Sequence, residues 1–497
     1  MKKEIMIKSI LKGKYKRILS SLYSGKFYLW FPLGIGFILR AHGLEQNSVW
    51  YDEALTIFLT RLPLFPMIRL ISFELNPPLW EILEKVVVLI FPQQAWGYRI
   101  LSFLFSIGIL WVGEQILAFY KVQKSLRFMT LLLLGLLPYQ IWMAQDARVY
   151  ALMSYLYLQG FLFILQKKFW GFLACSGLLL YSNSAAPFYV MTLFIIAFLN
   201  HPHEWRKIFY TGFGAILSFF PWIFIWGKAL EGRFFSGINV PEVNGERLFF
   251  QLSHVFWIDN MSLLNFILSI SGLIFLIVIF LSFFLLGIIQ KASHLRLLFV
   301  PGLLCVFPIL MIFIAGMFYH SGHLIVYRSL SGISAVTILF LAYLLNEYKI
   351  TGKIILGVLI ALSVLYLLFW SPNQKGGYLK EKLENLKPEI QSGDIFYHAT
   401  ATTLLPFAFY LDGHSHYLLD EKFPPGFMIP PFQEAFNLQK VPLEKLENQR
   451  VWIIYSNDSQ LSPHIHQRMN FYIRSANYYG KIEYPQAAPV NIYLLER

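Results

Sequence analysis

Long apolar runs separated by short basic loops fill residues 1–371. Most of them hold roughly 15–25 residues, and about 20 are needed for a helix to cross the hydrocarbon core of a bilayer. They lie at about 27–39, 95–119, 128–144, 151–166, 169–185, 186–200, 208–228, 263–289, 297–318, 329–346 and 353–371. The pattern therefore predicts a polytopic α-helical membrane protein with about eleven transmembrane helices.

Two parts of the chain break this pattern. Residues 43–94, the predicted first external loop, are too interrupted by proline and charge to span, so we expect short amphipathic helices along the membrane interface. Residues 372–497 contain short β-branched and aromatic runs, separated by helix-compatible and Pro/Gly-rich stretches, at 394–397, 450–455 and 490–495. We predict a C-terminal soluble α/β domain in residues 372–497, after a transmembrane domain in residues 1–371.

The composition excludes a water-soluble class, because 57% of the residues are hydrophobic and only 14% are charged, against about 25% charged in ordinary domains. The net charge of +13 does not indicate a nucleic-acid partner, because residues 372–497 hold 12 Lys and Arg against 13 Asp and Glu. The excess lies in the first 26 residues and in alternate loops, at Lys121, Lys124, Arg127, Lys167, Lys168, Arg206, Lys207, Lys291, Arg296, Lys349 and Lys353.

The positive-inside rule makes these loops cytoplasmic. The N-terminus is then cytoplasmic, and an odd number of spans makes the C-terminal domain extracytoplasmic, in a multi-pass protein of the cell (plasma or inner) membrane. A cleaved signal peptide is the alternative for the first run. That run ends in Arg40-Ala41-His42 without a small-residue cleavage site, which favours a retained span.

Charged residues in the predicted external segments are the informative ones, because apolar spans need no functional explanation. Asp52 and Glu53 follow two aromatic residues in the first loop, where solvated loop acids are an equally weighted alternative. Asp146, Arg148 and Tyr150 stand at the outer end of the third span, where the common alternative is a helix-end ion pair.

A third external segment contains Tyr327 and Arg328, just before a late span. Arginine binds phosphate oxygens through a bidentate fork, but at a helix end it more often reaches a bulk-lipid headgroup. External histidines could bind zinc or another transition metal, although surface histidines are the preferred interpretation; they are His320, His323, His414, His416, His464 and His466.

Four motifs in this order carry a resemblance to a known class. They are Trp50-Tyr51-Asp52-Glu53-Ala54, Asn76-Pro77-Pro78-Leu79, Tyr98-Arg99-Ile100-Leu101-Ser102 and Gln145-Asp146-Ala147-Arg148-Val149-Tyr150-Ala151-Leu152. The chain resembles the GT-C class of polyprenyl-phosphate-sugar-dependent glycosyltransferases, particularly the bacterial relatives of protein O-mannosyltransferases (glycosyltransferase family 39-like proteins). The resemblance covers most of the membrane half and implies a GT-C-like transmembrane catalytic domain.

The resemblance also implies roles for the candidate residues. Asp52 would be the catalytic base with Glu53 as the adjacent acid, and Asp146 would help to shape the site. Substrate binding would fall to Asp146, Arg148, Tyr150, Tyr327 and Arg328, with the Tyr-Arg pair on the donor phosphate. A divalent cation held by Asp52 and Asp146 is a further option, without a diagnostic ligand spacing. Asn76 replaces the histidine that usually begins the Pro-Pro motif, which puts an ionisable role there in doubt.

The function expected from these residues is inverting transfer of a sugar from a polyprenyl-phosphate donor to an acceptor hydroxyl on a protein, lipid or glycan, at the outer face among membrane lipids. One base suffices, because a lipid phosphate leaves as a stabilised anion. A transporter is the main alternative, but transporters concentrate ionisable residues near the bilayer midplane and often show repeated halves. A non-catalytic cell-envelope assembly protein is the third candidate.

Overall fold

A computed structural model describes residues 27–73, 76–234, 244–256, 295–318, 326–369, 377–419, 430–446, 449–456, 463–482 and 489–495. The basic first 26 residues, the predicted span at 263–289, and His320 and His323 lie outside these ranges. Within them, the structure is helical as far as residue 369 and mixed α/β beyond it.

Helices are present at every predicted span that falls within the described ranges. The helices of the membrane part are α1 (Phe27–His42), α2 (Tyr51–Arg61), α3 (Leu64–Ile71), α4 (Leu79–Val87), α5 (Ala95–Phe119), α6 (Lys124–Leu136), α7 (Pro138–Ala144), α8 (Tyr150–Leu165), α9 (Phe169–Leu180), α10 (Ala186–Asn200), α11 (Trp205–Phe234), α12 (Gly245–His254), α13 (Leu295–Phe318), α14 (Ser331–Leu344) and α15 (Lys349–Phe369). Helix α8 is apolar on all sides because α5, α9, α10 and α14 pack around it.

Four helical stretches in the described chain are long and apolar enough to cross a membrane: Ala95–Phe119, Pro202–Ile225, Tyr327–Leu344 and Lys349–Phe369. The bent pair α6 and α7 would make a fifth span, and α8, α9, α10 and residues 302–318 are apolar but shorter. The chain is therefore a membrane protein. The count of eleven spans and their orientation stay predictions.

The predicted span at 128–144 is bent by 57° between α6 and α7. Pro138 begins α7, and because proline has no backbone N–H, the carbonyl of Leu134 loses its normal helical partner. The buried side chain of Arg40 supplies the missing hydrogen-bond donor. It donates to the carbonyls of Leu134 at 3.1 Å and Gly135 at 2.8 Å. Arg40 is thus part of the helix packing and more than the polar end of the first span.

The first loop folds into the short helices α2, α3 and α4, as its broken pattern predicts. Large apolar side chains remain exposed on and after α3 and α4, including those of Phe65, Leu89 and Ile90. Exposed apolar faces on short helices are typical of segments that lie in a lipid interface.

The described part of the C-terminal region, within residues 377–495, is built around a six-stranded sheet. The strands are β1 (Ile395–His398), β2 (Ser415–Leu418), β3 (Gln439–Lys440), β4 (Val451–Ser456), β5 (Asn477–Ile482) and β6 (Val490–Leu495). Their order in the sheet is β3-β2-β1-β4-β6-β5. The first four are parallel, whereas β6 runs antiparallel to β4 and β5 to β6. The helices are α16 (Leu379–Leu386), α17 (Ala401–Tyr410), α18 (Pro430–Ala435) and α19 (Pro463–Ile473). The predicted α/β architecture is present, and all three predicted runs are strands.

The C-terminal region packs on the first loop through α17, which lies against α2. Phe409 of α17 contacts Tyr98 edge to face, with ring centroids 6.4 Å apart. Leu404 and Leu405, also on α17, belong to the same buried cluster as the membrane helices. Helix α2 is therefore enclosed between the membrane helices and the C-terminal region.

Candidate active site

Helix α2 carries the two adjacent acids into different environments. Both lie in its first turn, where carboxylates interact favourably with the helix dipole. Successive helical residues are rotated by about 100°, so the two side chains point in different directions. Asp52 remains 23% exposed, whereas Glu53 is 1% exposed.

Glu53 forms a buried bidentate ion pair with Arg99 at the start of α5. Nε of Arg99 donates to Oε1 and Nη2 donates to Oε2, both at 2.7 Å. The backbone N–H of Ala147 donates to Oε1 at 2.8 Å. Glu53 thereby ties α2 to α5 and to the turn after α7, a geometry that favours positioning over proton transfer. Its predicted catalytic role is untested.

Asp52 faces Arg328, the residue predicted to contact the donor phosphate. Nη1 of Arg328 donates to Oδ2 of Asp52 at 2.5 Å. The guanidinium carbon of Arg328 lies 4.6 Å from the ring centroid of Trp50 and 5.6 Å from that of Tyr327, which are cation–π distances. Two aromatic rings therefore hold the guanidinium beside the partly exposed acid.

Arg148 joins the same group from the turn between α7 and α8. Its Nη1 donates to Oγ1 of Thr56 at 2.8 Å and to the backbone carbonyl of Asp52 at 3.3 Å. In the described part of the chain, the buried Nε atoms of Arg148 and Arg328 have no hydrogen-bond partner. Buried donors are normally satisfied, so the two guanidinium groups that contact Asp52 have unused donor capacity, which suits an anion.

Asp146 and Tyr150 lie behind this group. Asp146 is fully buried and accepts the indole N–H of Trp50 at 3.0 Å through Oδ1, while Ser102 donates to its backbone carbonyl at 2.5 Å. Tyr150 is buried and stacks on Trp142, with ring centroids 6.1 Å apart. Asp146 thus holds the Trp50 ring, which lies against the Arg328 guanidinium and forms the floor of the candidate site.

The Tyr327–Leu330 turn is a short 3-10 helix that positions Arg328. The Tyr327 N–H donates to Oε1 of Gln251 at 2.7 Å, and the Tyr327 carbonyl accepts the Tyr139 hydroxyl at 2.8 Å. His254 stacks on the Tyr327 ring at 5.6 Å. Sequence reasoning missed Gln251, Tyr139 and His254, since no charge or motif marks them.

The Pro-Pro motif has a structural role in the loop. Asn76 accepts the Asn183 side-chain N–H at 3.0 Å, and the Trp80 indole donates to the Ala147 carbonyl at 3.0 Å. The first contact ties the start of the motif to the turn after α9, and the second fixes α4 against the turn that carries Arg148. Deeper in α4, burial raises the pKa of Glu84 well above its usual range, and the nearby Glu81 and Glu53 raise it further.

No cluster of three His, Cys, Asp or Glu residues in the described ranges could hold a metal ion. Asp52 and Asp146 therefore have no third ligand of these types there.

In the C-terminal region, His416 is not the expected surface histidine, because it is mostly buried, 3.1 Å from His398. Burial lowers the pKa of His416 to about 4 and that of His398 well below its usual range, so both are neutral at pH 7.

Comparison with known proteins gives structural matches only: no protein-family model and no curated protein sequence matches the chain. Two crystal structures of ArnT from Cupriavidus metallidurans, a GT-C glycosyltransferase, align with 94% of it. The apo structure has a TM-score of 0.58 at 11% identity, with 97% of its own chain covered. The structure bound to undecaprenyl phosphate has a TM-score of 0.52 at 12% identity, with 98% covered. The chain has the GT-C fold.

Within this GT-C fold, the predicted site residues come together from distant parts of the chain. Asp52, Arg148 and Arg328 form the partly open group, with Tyr327 beside it. Glu53, Asp146 and Tyr150 are buried around that group. Residues Trp50 and Arg99 complete it; both lie in motifs that carry the resemblance, although the sequence alone assigns neither a role.

Proposed function

We propose that this chain is an inverting glycosyltransferase that moves a sugar from a polyprenyl-phosphate donor to an acceptor hydroxyl at the outer face of the cell membrane. The observation that carries the proposal is a partly exposed carboxylate, Asp52, bonded to Arg328 beside Arg148 within a GT-C fold. The undecaprenyl phosphate bound to ArnT in a structure of the same fold supports the donor class.

The proposed chemistry assigns one role to each charge. Asp52 takes the proton of the acceptor hydroxyl as its oxygen bonds to the anomeric carbon from the face opposite the phosphate. The bond from that carbon to the phosphate oxygen breaks, and the lipid phosphate leaves with the electron pair. Arg328 and Arg148 stabilise the negative charge on the phosphate by charge-assisted hydrogen bonds in a partly dehydrated site.

The C-terminal region is proposed to lie outside the membrane and to contact the acceptor, whether protein, lipid or glycan. Direct measurement can identify the sugar, the length of the lipid and the acceptor. Mass spectrometry of the lipid that copurifies with the protein would identify the carrier and, where the sugar is retained, the donor.

A turnover assay tests the proposal. Purified protein in nanodiscs is given a panel of undecaprenyl-phosphate hexoses and pentoses, with a cell-envelope extract as the source of acceptors. We expect release of undecaprenyl phosphate from at least one donor, together with a glycosylated product of inverted anomeric configuration. Retained configuration would exclude the single-base mechanism, and movement of intact donor across the membrane without bond cleavage would favour a transporter.

Arg328→Lys tests the phosphate contact. Lysine keeps the charge but loses the planar fork, so we expect the Kd for undecaprenyl phosphate to rise about tenfold, or about 1.4 kcal/mol. Titration of the nanodisc-embedded protein with undecaprenyl phosphate measures it. Arg61→Lys is the matched control: Arg61 ends α2, the helix that carries Asp52, and its ion pair with Asp412 is loose, at 3.8 Å. Equal affinity in wild type and Arg328→Lys would mean that Arg328 only meets bulk headgroups.

A further inference from the structure

The segment that joins α1 to α2, residues 43–50, is held on its membrane side by Arg99. Nη1 of Arg99 donates to the carbonyls of Leu44 and Asn47 at 2.8 Å, and Nη2 reaches the carbonyl of Ser48 at 3.3 Å. The same guanidinium holds Glu53 in the first turn of α2. One buried side chain thus organises the entry to the helix that carries Asp52.

The opposite side of this segment is held by the C-terminal region. The backbone N–H of Val49 donates to the hydroxyl oxygen of Tyr410 at 2.7 Å. The backbone N–H of Lys380 donates to Oγ of Ser48 at 3.1 Å, and the Lys380 ammonium lies 2.7 Å from Oε1 of Glu45. Val49 is buried, so its N–H would lose its acceptor without a replacement from water if the Tyr410 hydroxyl were removed.

Val49 is next to the floor of the site. Trp50 follows it, with its indole bonded to Asp146 and its ring under Arg328. Asp52 is two residues further along, in the first turn of α2. Displacement of the Val49 backbone would therefore move the ring and the acid together, and a misplacement of about 1 Å can cost about a hundredfold in rate.

We propose that Tyr410 is a positioning residue for Asp52, so that the C-terminal region completes the transferase site in addition to any contact with the acceptor. This inference rests on the proposed glycosyltransferase function. The hydroxyl of Tyr410 acts through the Val49 N–H and has no contact with the reacting groups in this role. Its loss should lower turnover more than it lowers donor binding.

Tyr410→Phe is the direct test, because it keeps the ring that packs on Phe409, 5.0 Å away, and removes only the acceptor. We expect kcat to fall about tenfold while KM for the donor used by the wild type stays within about twofold. Tyr478→Phe is the matched control: the same chemical change on an exposed tyrosine of the same region, with kcat and KM unchanged.

A second measurement does not depend on activity. Hydrogen–deuterium exchange of the full chain in nanodiscs should show a protected Val49 amide in wild type and in Tyr478→Phe, and at least tenfold faster exchange in Tyr410→Phe. Unchanged Val49 protection, or a donor KM that rises in step with the loss of kcat, overturns the positioning role. Loss of Val49 protection in a protein that transfers no sugar would contradict the proposed function while leaving the contact itself established.

Discussion

Asp52→Asn is expected to lower kcat by about 10²- to 10⁴-fold, the range typical of losing a positioned general base. Asparagine preserves the shape of the side chain and can still accept a hydrogen bond from Arg328, but it cannot take the acceptor proton. Undecaprenyl phosphate affinity should hold or increase, because Arg328 no longer shares its charge with a carboxylate. Release of lipid phosphate and equilibrium binding, measured on the same preparation, separate these two effects.

Asp412→Asn is the control for this change. Asp412 is an acid of the C-terminal region whose side chain is 77% exposed. The sugar-transfer rate of the Asp412→Asn protein should therefore stay within about twofold of wild type. Wild-type turnover by Asp52→Asn would remove the proposed base. A large loss of lipid phosphate affinity without a change in kcat would instead make Asp52 a binding residue.

Glu53→Gln is expected to destabilise the protein by about 3–5 kcal/mol, because it leaves the Arg99 guanidinium buried without a counter-charge. A lower midpoint of thermal unfolding in detergent and a smaller yield of folded protein would report this. The double variant Glu53→Gln with Arg99→Gln should recover part of the loss, since the uncompensated charge is then absent.

Glu45→Gln, in the segment that leads into α2, is the contrast to Glu53→Gln. Its carboxylate pairs with Lys380, but the Glu45 side chain is 47% exposed, and such a pair contributes about 0–1 kcal/mol. A Glu53→Gln protein with normal thermal stability and a kcat lowered a hundredfold would show that Glu53 is catalytic, as the resemblance implied, and that its pair with Arg99 is secondary.

The helices of the membrane part and three of the strands could be predicted because each depends on local pattern. Apolar runs of membrane length gave the helices, and β-branched runs gave β1, β4 and β6. The bend at Pro138 could not be located in this way. The apolar run continues through it, and the group that stabilises it, Arg40, comes from another helix about a hundred residues away.

The residues of the candidate site could be picked from the sequence, but the way in which they pair could not. Asp52 and Arg328 lie 276 positions apart, and no periodicity connects them. The sequence alone does not distinguish the adjacent acids Asp52 and Glu53. The structure shows that Asp52 pairs with Arg328 and Glu53 with Arg99, because the two side chains leave α2 in different directions. Tyr410 had no signal in the sequence, because its contact with Val49 depends on where α17 docks.

In the proposed mechanism, one guanidinium contacts both the base and the leaving phosphate. Arg328 meets Asp52 through Nη1, while its Nε lies on another edge of the same planar group. A guanidinium is rigid, so the distance between its donor edges is fixed by covalent bonds and does not depend on helix packing. With a phosphate on its second edge, Arg328 would act as a molecular ruler between base and leaving group, and the spacing would persist while the surrounding helices shift in a fluid bilayer.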